Sequence, residues 1–321
     1  MSTERCEGYR QRARNFAIDA LTAEVASAFT SDGIGTVVLK GSVLARWLYP
    51  GEVRSYVDCD LMVAPGNRAR AVNVLEQLGF TEHCAWMPTP LSLDPGGTAF
   101  NRPGEGMVDL HCQLPGLGGD PDAIWSRLAA SAERQMIAGV ELRVPDRDTV
   151  LLHVVLHAAH HANLVDGKPL EDLRRALACV EESRWSSVLA LAREYQGVQA
   201  FEGVQAFAAG LRLLPDGEDL ARGLDLGEVR SFQHEIRRED NVIAEELYAL
   251  LSAGVGIRRK LVIAASDIFP RPDYMRWWSP LARRGKLGLA FGYLWRTIWI
   301  IGQAPAAIHT LWRIQRAKGR A

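Results

Sequence analysis

The period of the hydrophobic positions changes near the middle of the chain. Up to about residue 144, short apolar runs alternate with helical spacing. The predicted strands are 36–40, 56–63, runs up to His111, and a hairpin at 135–144, and the predicted helices are 8–30, 43–49, 67–78 and 123–134. After Pro145, helical patterns follow one another at 147–163, 169–182, 185–195, 197–212 and 227–253. The pattern predicts an α+β fold, in which an N-terminal mixed-sheet domain precedes a C-terminal α-helical domain.

This change of period also predicts three segments. Residues 1–145 are expected to form the catalytic domain, and residues 146–280 a helical domain that walls the cleft. Residues 281–321 form a tail in which basic residues flank an apolar, aromatic stretch with Trp295 and Trp312. Such a composition suits a helix on a membrane surface, and it equally suits a helix packed on the protein's own body or in a dimer. Both alternatives stay open for the tail.

Charge and cysteine content exclude several classes of protein. The 37 basic residues nearly balance the 38 acidic ones, so no nucleic-acid partner is expected. The five cysteines are scattered and include no CxxC pair, which favours a reducing compartment over a disulfide framework. The N-terminus lacks the apolar core of a secretory signal, and no stretch has the length of a clean membrane span. We therefore expect a cytoplasmic protein, with peripheral membrane contact through the tail as an open alternative.

Carboxylates on two predicted strands are the first candidate chemistry. The two-residue period of a strand places Asp58 and Asp60 on one face and the apolar residues from Val57 to Val63 on the other. In a later strand, the same period puts Asp109 and His111 on one face. Neighbouring carboxylates repel one another unless a cation or a proton lies between them, and oxygen ligands favour Mg²⁺ or Mn²⁺. Asp58, Asp60 and Asp109 are thus candidate metal ligands and catalytic residues for phosphoryl or nucleotidyl transfer.

A phosphate-binding segment is predicted just before the strand that carries Asp58 and Asp60. Gly41 follows a predicted strand and precedes a helix, so its backbone can approach an anion. Ser42 can cap that helix and donate a hydrogen bond to a phosphate oxygen. Lys40 and Arg54 could neutralise the phosphate tail.

Four histidines lie in one later helical pattern. They are His153, His157, His160 and His161. The spacing of His153 and His157 would suit a transition metal, but HExxH and His-Asp motifs are absent. We therefore interpret the cluster as structural, partly at a domain interface and partly solvated. Walker, GxGxxG, GxSxG and kinase loops are also absent from the sequence.

The order of these motifs resembles the polymerase-beta-type nucleotidyltransferase superfamily. More closely, LKGSVLARWLYPGEVRSYVDCDLMV, VLEQLGF and VDLHCQL are similar to the bacterial family described as uncharacterised nucleotidyltransferases. The resemblance extends through LLHVVLHAAHH to DIFPRPDYMRWW, near residue 280. Two positions depart from it: fifteen residues separate Ser42 from Asp58, and Cys112 stands where the family commonly has Trp.

The resemblance implies a reaction and a role for each motif. Gly41 and Ser42 would hold the β- and γ-phosphates of ATP or another nucleoside triphosphate. Asp58 and Asp60 would hold the metal ions, and Asp109 would bind metal and help to deprotonate the acceptor hydroxyl. The implied product is a nucleotidylated small molecule or peptide natural product. Two alternatives remain: a phosphotransferase that uses the same site, and a non-catalytic antitoxin-like or scaffold module.

Overall fold

A computed structural model of the chain forms two compact units, which we describe separately. The residues that it describes are 3–83, 97–114, 120–160, 167–194, 207–208, 210–224, 226, 243–244, 247, 251 and 257–318. The first unit contains every described strand and the helices up to Gly223, and the second contains the helices from Ile257 onward. The division into segments 1–145, 146–280 and 281–321 stays a prediction.

The first unit begins with alternating helices and strands. Its elements are α1 (Thr3–Ser31), β1 (Thr36–Val38), α2 (Ser42–Leu48), β2 (Asp58–Val63), a 3-10 turn (Pro65–Asn67), α3 (Arg68–Gln77), β3 (Thr81–Glu82), β4 (Thr98–Arg102), β5 (Gly106–His111), α4 (Pro121–Ser131), β6 (Glu133–Ile137) and β7 (Val140–Val144). Four helices follow: α5 (Arg147–His160), α6 (Lys168–Cys179), α7 (Glu182–Glu194) and α8 (Pro215–Gly223). This sequence of elements confirms the predicted α+β class.

A mixed five-stranded sheet lies at the centre of this unit. Its strand order is β1-β2-β5-β4-β3, and β6 and β7 form a separate antiparallel hairpin. Strand β2 runs antiparallel to β1 but parallel to β5, which is the next strand across the sheet. The parallel pair brings two segments about fifty residues apart in the sequence side by side.

One continuous hydrophobic core joins the sheet to the helices that cover it. Phe29 of α1, Leu61 of β2, Leu110 of β5 and Leu152 of α5 are fully buried members of this core. Helix α5 also packs against α6 and α7, so the helices after β7 share the core of the sheet. This packing fixes the position of β2 and β5 within the core.

The second unit contains three described helices: α9 (Ile257–Ile268), α10 (Pro272–Trp278) and α11 (Gly285–Lys318). Helix α11 packs against α9 and α10, and the Tyr293 hydroxyl donates a 2.6 Å hydrogen bond to the carbonyl of Pro270. In the part of the chain that the structure describes, no helix combines the length and apolar character needed to cross a bilayer.

Several predicted boundaries differ from the structure. The predicted helix 123–134 ends at Ser131, because the backbone of Ala132 is extended and β6 begins at Glu133. Strand β2 begins at Asp58, so Val57, which was predicted on the apolar face, lies before the strand and is 60% exposed. The predicted helices 197–212 and 227–253 lie mostly outside the described residues.

Candidate active site

The register of β2 and β5 brings the predicted carboxylates together. Asp60 lies directly opposite Asp109, and Met62 lies opposite His111. Partners in a parallel pair present their side chains on the same face, so Asp60, Asp109 and His111 share one surface of the sheet. Each of these three residues offers one ligand atom, and the three atoms lie within 4.8 Å of one another.

Asp60 is the buried centre of this cluster. Its Oδ1 accepts a 2.8 Å hydrogen bond from Lys40 Nζ and lies 3.0 Å from His111 Nε2. Because a carboxylate oxygen can only accept, the contact places the proton of His111 on Nε2. Burial alone would raise the pKa of Asp60, but Lys40 and His111 outweigh it and hold the pKa well below its usual range.

Asp109 has the opposite electrostatic environment. Burial and the neighbouring Asp60 raise its pKa to about 6, and the charge of His111 only partly opposes them. Its Oδ1 is buried and has no hydrogen-bond partner among the described residues. A buried carboxylate oxygen without a partner is costly, and a bound cation would remove that cost. The oxygen-rich cluster therefore fits a divalent cation such as Mg²⁺ or Mn²⁺.

Asp58 stands at the open end of the same strand. It is the first residue of β2 and is half-buried. Burial and then Asp60 raise its pKa, whereas Lys40 and Lys168 lower it. Asp58 and Asp60 are two residues apart, and both belong to the face that holds Asp109. Asp58 thus interacts electrostatically with both other predicted carboxylates, although the three close ligand atoms belong to Asp60, Asp109 and His111.

Lys40 lies inside this group. Burial lowers its pKa, but the charges of Asp60, Asp58 and Asp109 prevail and raise it above its ordinary value. The lysine therefore stays protonated and supplies positive charge to the carboxylates. Its contact with a nucleotide phosphate stays a prediction.

Gly41 lies in the turn between β1 and α2, and Ser42 is the first residue of α2. Gly41 has φ 60° and ψ −116°, which matches the first central residue of a type II′ turn, a position that favours glycine. A Cβ atom there would make an ordinary contact of 3.5 Å with the Tyr56 ring, so the backbone conformation and not the space favours glycine. The cap of α2 is Gly41, not Ser42 as predicted. Burial raises the pKa of Asp19, and the buried Ser42 hydroxyl partly opposes this shift through a side-chain hydrogen bond.

Arg54 is held away from solvent by a residue that the sequence did not single out. Its Nε and Nη2 donate to the two oxygens of Asp172 at 2.8 and 2.7 Å, and the Tyr49 hydroxyl donates to Asp172 Oδ1 at 2.7 Å. All three side chains are buried. A predicted phosphate contact of Arg54 would have to form beside this ion pair. The one sequence signal for Asp172 is its place on the inward face of the amphipathic helix α6.

One histidine of the predicted structural cluster lies beside the site. His153 is buried and, with Lys40 and Asp172, lines a small cavity of about 10 Å³. Burial and then the charge of Lys40 lower the pKa of His153 to about 3, so the ring is neutral. His157 lines the same cavity, whereas His161 lies outside the described residues. Burial beside a lysine was not foreseeable from the helical spacing.

A mixed sheet that carries acidic residues on adjacent strands, followed by helices, is the architecture that the sequence resemblance implied. The sequence profile described as "Uncharacterised nucleotidyltransferase" matches residues 5–211, more than half of the chain. The chain belongs to this family. The match ends at residue 211, short of residue 280, to which the motif resemblance extended.

Three solved structures also match parts of the chain, each at less than 20% identity and with a TM-score of 0.40 or lower. The chain is 18% identical to the antibiotic-resistance factor ANT(2'')-Ia, with 55% of this chain and 91% of that chain covered and a TM-score of 0.40. The lincosamide antibiotic adenylyltransferase LnuA is 13% identical, with 49% and 94% covered and a TM-score of 0.33. An antigenic nucleotidyltransferase-like protein from Paracoccidioides brasiliensis is 16% identical, with 67% and 94% covered and a TM-score of 0.36. No curated protein sequence matches the chain.

Proposed function

We propose that this chain is a divalent-cation-dependent nucleotidyltransferase. It would transfer a nucleotidyl group, with ATP as the favoured donor, to a hydroxyl of a small molecule or peptide natural product in the cytoplasm. Membership of a nucleotidyltransferase family supports the reaction class. The observation that carries the proposal is the register of Asp60 and Asp109 on parallel strands, together with the buried, unpartnered Oδ1 of Asp109.

Asp58, Asp60 and Asp109 are the proposed ligands of the cation. Burial and then the charge of Asp60 raise the pKa of both Asp58 and Asp109, and a cation would offset the cost of ionising them there. When bound, Mg²⁺ or Mn²⁺ would neutralise charge on the phosphates and on the leaving pyrophosphate. Lys40, whose ammonium lies 2.8 Å from Asp60 Oδ1, would add a fixed positive charge.

Asp109 is the proposed proton acceptor. The acceptor hydroxyl oxygen would form a bond to the α-phosphorus, and the bond from this phosphorus to the bridging oxygen would break, with pyrophosphate leaving. With the cation on the unpartnered Oδ1, the hydroxyl proton would pass to Oδ2 of Asp109. In the cation-free protein, burial and then Asp60 raise the pKa of Asp109 to about 6. A bound cation would lower this pKa, so Asp109 would be ionised near neutral pH and able to accept the proton.

Gly41 and Ser42 are the proposed binding site for the phosphates of the nucleoside triphosphate. The glycine has no Cβ atom, so the backbone at the start of α2 can approach the β- and γ-phosphates closely. Lys40 immediately precedes this turn, and Arg54 is anchored on α6 nearby in the same unit. Both side chains stay proposed phosphate contacts. Residues 146–280 are proposed to select the acceptor.

Label transfer tests this proposal. Full-length protein is incubated with Mg²⁺, a panel of hydroxyl compounds and peptides, and ATP labelled at either the α- or the γ-phosphate. We expect α-label in an adduct that has the mass of a nucleotidyl group, and release of pyrophosphate. Asp60→Asn and Asp109→Asn should each lower the rate at least about a hundredfold, since each removes charge stabilisation worth several kcal/mol. Glu133→Gln, an exposed acidic residue on the hairpin, is the matched control and should retain full activity.

The same experiment separates the alternatives. Transfer of γ-label with the mass of a single phosphate would replace the nucleotidyltransferase by a phosphotransferase. No label transfer to any acceptor would favour a non-catalytic module. Activity that persists in both aspartate variants would overturn the assignment of the site.

A further inference from the structure

Helix α11 packs on its own unit with its small and polar side. The residues that it buries are Gly288, Gly292, Arg296, Ala307 and Thr310. They recur at intervals of three, four or eleven residues, so they occupy one face of the helix. At Gly292, an added Cβ would lie 3.0 Å from the Cβ of Ala282, which shows how closely this face approaches its neighbours.

The opposite side of α11 is large, apolar and exposed. This apolar face of α11 comprises Leu287, Phe291, Leu294, Ile298, Ile301 and Trp312. These residues are spaced by three, four or eleven positions and are between 49% and 77% exposed. Trp295, beside them, is 57% exposed. The helix is thus inverted relative to an ordinary surface helix, which buries its apolar side.

An exposed apolar face of this length indicates a binding surface. Isolated exposed apolar residues are common, but a continuous stripe along a helix marks an interaction site. The stripe lies beyond residue 211, where the family match ends, so the nucleotidyltransferase site does not account for it.

The charge of the segment identifies the kind of surface that it fits. From Tyr274 to the end of the chain there are nine Lys or Arg residues and no Asp or Glu, although the whole chain has a formal net charge of −1. Arg283 and Arg284 precede the apolar face, and Arg313 and Arg316 follow it. Basic residues at both ends of an apolar, Trp-containing face complement an anionic bilayer, in which the face would enter the acyl boundary.

A second copy of the chain fits this face less well. Helices that pair along an apolar seam usually align opposite charges across the flanking positions. Two copies of α11 would offer each other only positive charge, because neither helix contains an acidic residue. The lack of acidic residues thus favours lipid over self-association.

We propose that the apolar face of α11 binds the surface of an anionic lipid bilayer, with the helix lying in the interfacial plane. Phe291, Ile298 and their neighbours insert between the lipid headgroups, and the flanking arginines and lysines contact lipid phosphates. This placement holds an enzyme of the proposed class at a membrane without crossing it.

Vesicle flotation tests the proposal. Full-length protein is mixed with vesicles of equal parts phosphatidylcholine and phosphatidylglycerol, and in parallel with vesicles of phosphatidylcholine alone. We expect flotation with the anionic vesicles and at least about tenfold weaker binding to the neutral ones. The double substitution Phe291→Ser/Ile298→Ser should weaken binding to anionic vesicles at least about tenfold, because it removes two inserting side chains.

The matched control changes exposed apolar residues elsewhere. Phe16 on α1 and Met136 on β6 are 68% and 52% exposed, and Phe16→Ser/Met136→Ser should bind anionic vesicles like the wild type. Equal loss of binding in both double variants would overturn the proposal. The proposal would also be overturned if the wild type did not bind vesicles but sedimented as a dimer, and if Phe291→Ser/Ile298→Ser dissociated that dimer. The apolar face of α11 would then join two copies of the chain.

Discussion

At the scale of single residues, the carboxylates of the site differ in their hydrogen-bond partners. Asp60 has two hydrogen-bonding partners, Lys40 and His111, whereas Asp109 Oδ1 has none among the described residues. Burial and then the charge of Asp60, which Lys40 stabilises, raise the pKa of Asp109. Such an arrangement costs stability in the absence of a cation, and proteins commonly accept this cost at functional sites.

The raised pKa of Asp109 predicts that, without a cation, the stability difference between wild type and Asp109→Asn depends on pH. The pKa of Asp109 is 3.8 in the unfolded chain and about 6 in the folded protein. The stabilising contribution of its protonated form to the free energy of unfolding is therefore fully present below pH 3.8. This contribution is lost as the pH rises through about 6, because the folded state must then hold a second buried carboxylate. Asp109→Asn cannot ionise, so it does not suffer this loss. Its free energy of unfolding relative to wild type should rise between pH 4 and 6 and then stay constant, with a total gain of at most about 3 kcal/mol. Urea unfolding in chelator measures this, and a difference that does not change with pH would contradict it.

At the scale of elements, helix α6 anchors the loop that leads into β2. Asp172 of α6 accepts hydrogen bonds from Arg54 and Tyr49, and the Lys168 ammonium donates to the carbonyl of Ser55 at 3.2 Å. The loop between α2 and β2 carries these contacts and ends at Asp58. A helix distant in the sequence thus fixes the start of the strand that bears two of the carboxylates.

Substitution of Asp172 tests this anchor. Asp172→Asn keeps the shape of the side chain but leaves Arg54 buried without its counter-charge, which typically costs about 3–5 kcal/mol. We expect a clear loss of stability in urea or thermal unfolding. Glu52→Gln removes an exposed partner of Arg175 in the same loop, and it should leave the unfolding midpoint nearly unchanged. Equal effects of the two substitutions would show that the Arg54 pair is not an anchor.

The period of hydrophobic residues predicted the helices and strands better than it predicted which of them lie side by side. The two-residue period correctly placed Asp109 and His111 on one face of β5, because that property depends on the strand alone. That β5, rather than β4, would lie beside β2 was not predictable, because the pairing joins distant segments. Asp172 was missed because one acidic residue in an amphipathic helix is normally solvent-facing, and its burial depends on Arg54 arriving from another element.

At the scale of the whole molecule, two sets of features lie in different parts of the chain. The sheet, the carboxylates and the helices that share their core lie in the first unit, where most of the family match falls. The inverted helix α11 lies in the second unit, beyond that match. The proposed reaction and the proposed membrane contact can therefore be tested independently, since variants of one leave the residues of the other intact.

The measurement that tests the central claim most directly is cation binding, because it requires no knowledge of the acceptor. Mn²⁺ is titrated into the chelator-treated, full-length protein, and free Mn²⁺ is followed by electron paramagnetic resonance. The account predicts that wild type and Glu133→Gln bind the ion alike, whereas Asp60→Asn and Asp109→Asn each bind at least about tenfold more weakly. Equal Mn²⁺ binding by all four proteins would contradict the claim that these carboxylates form a cation site.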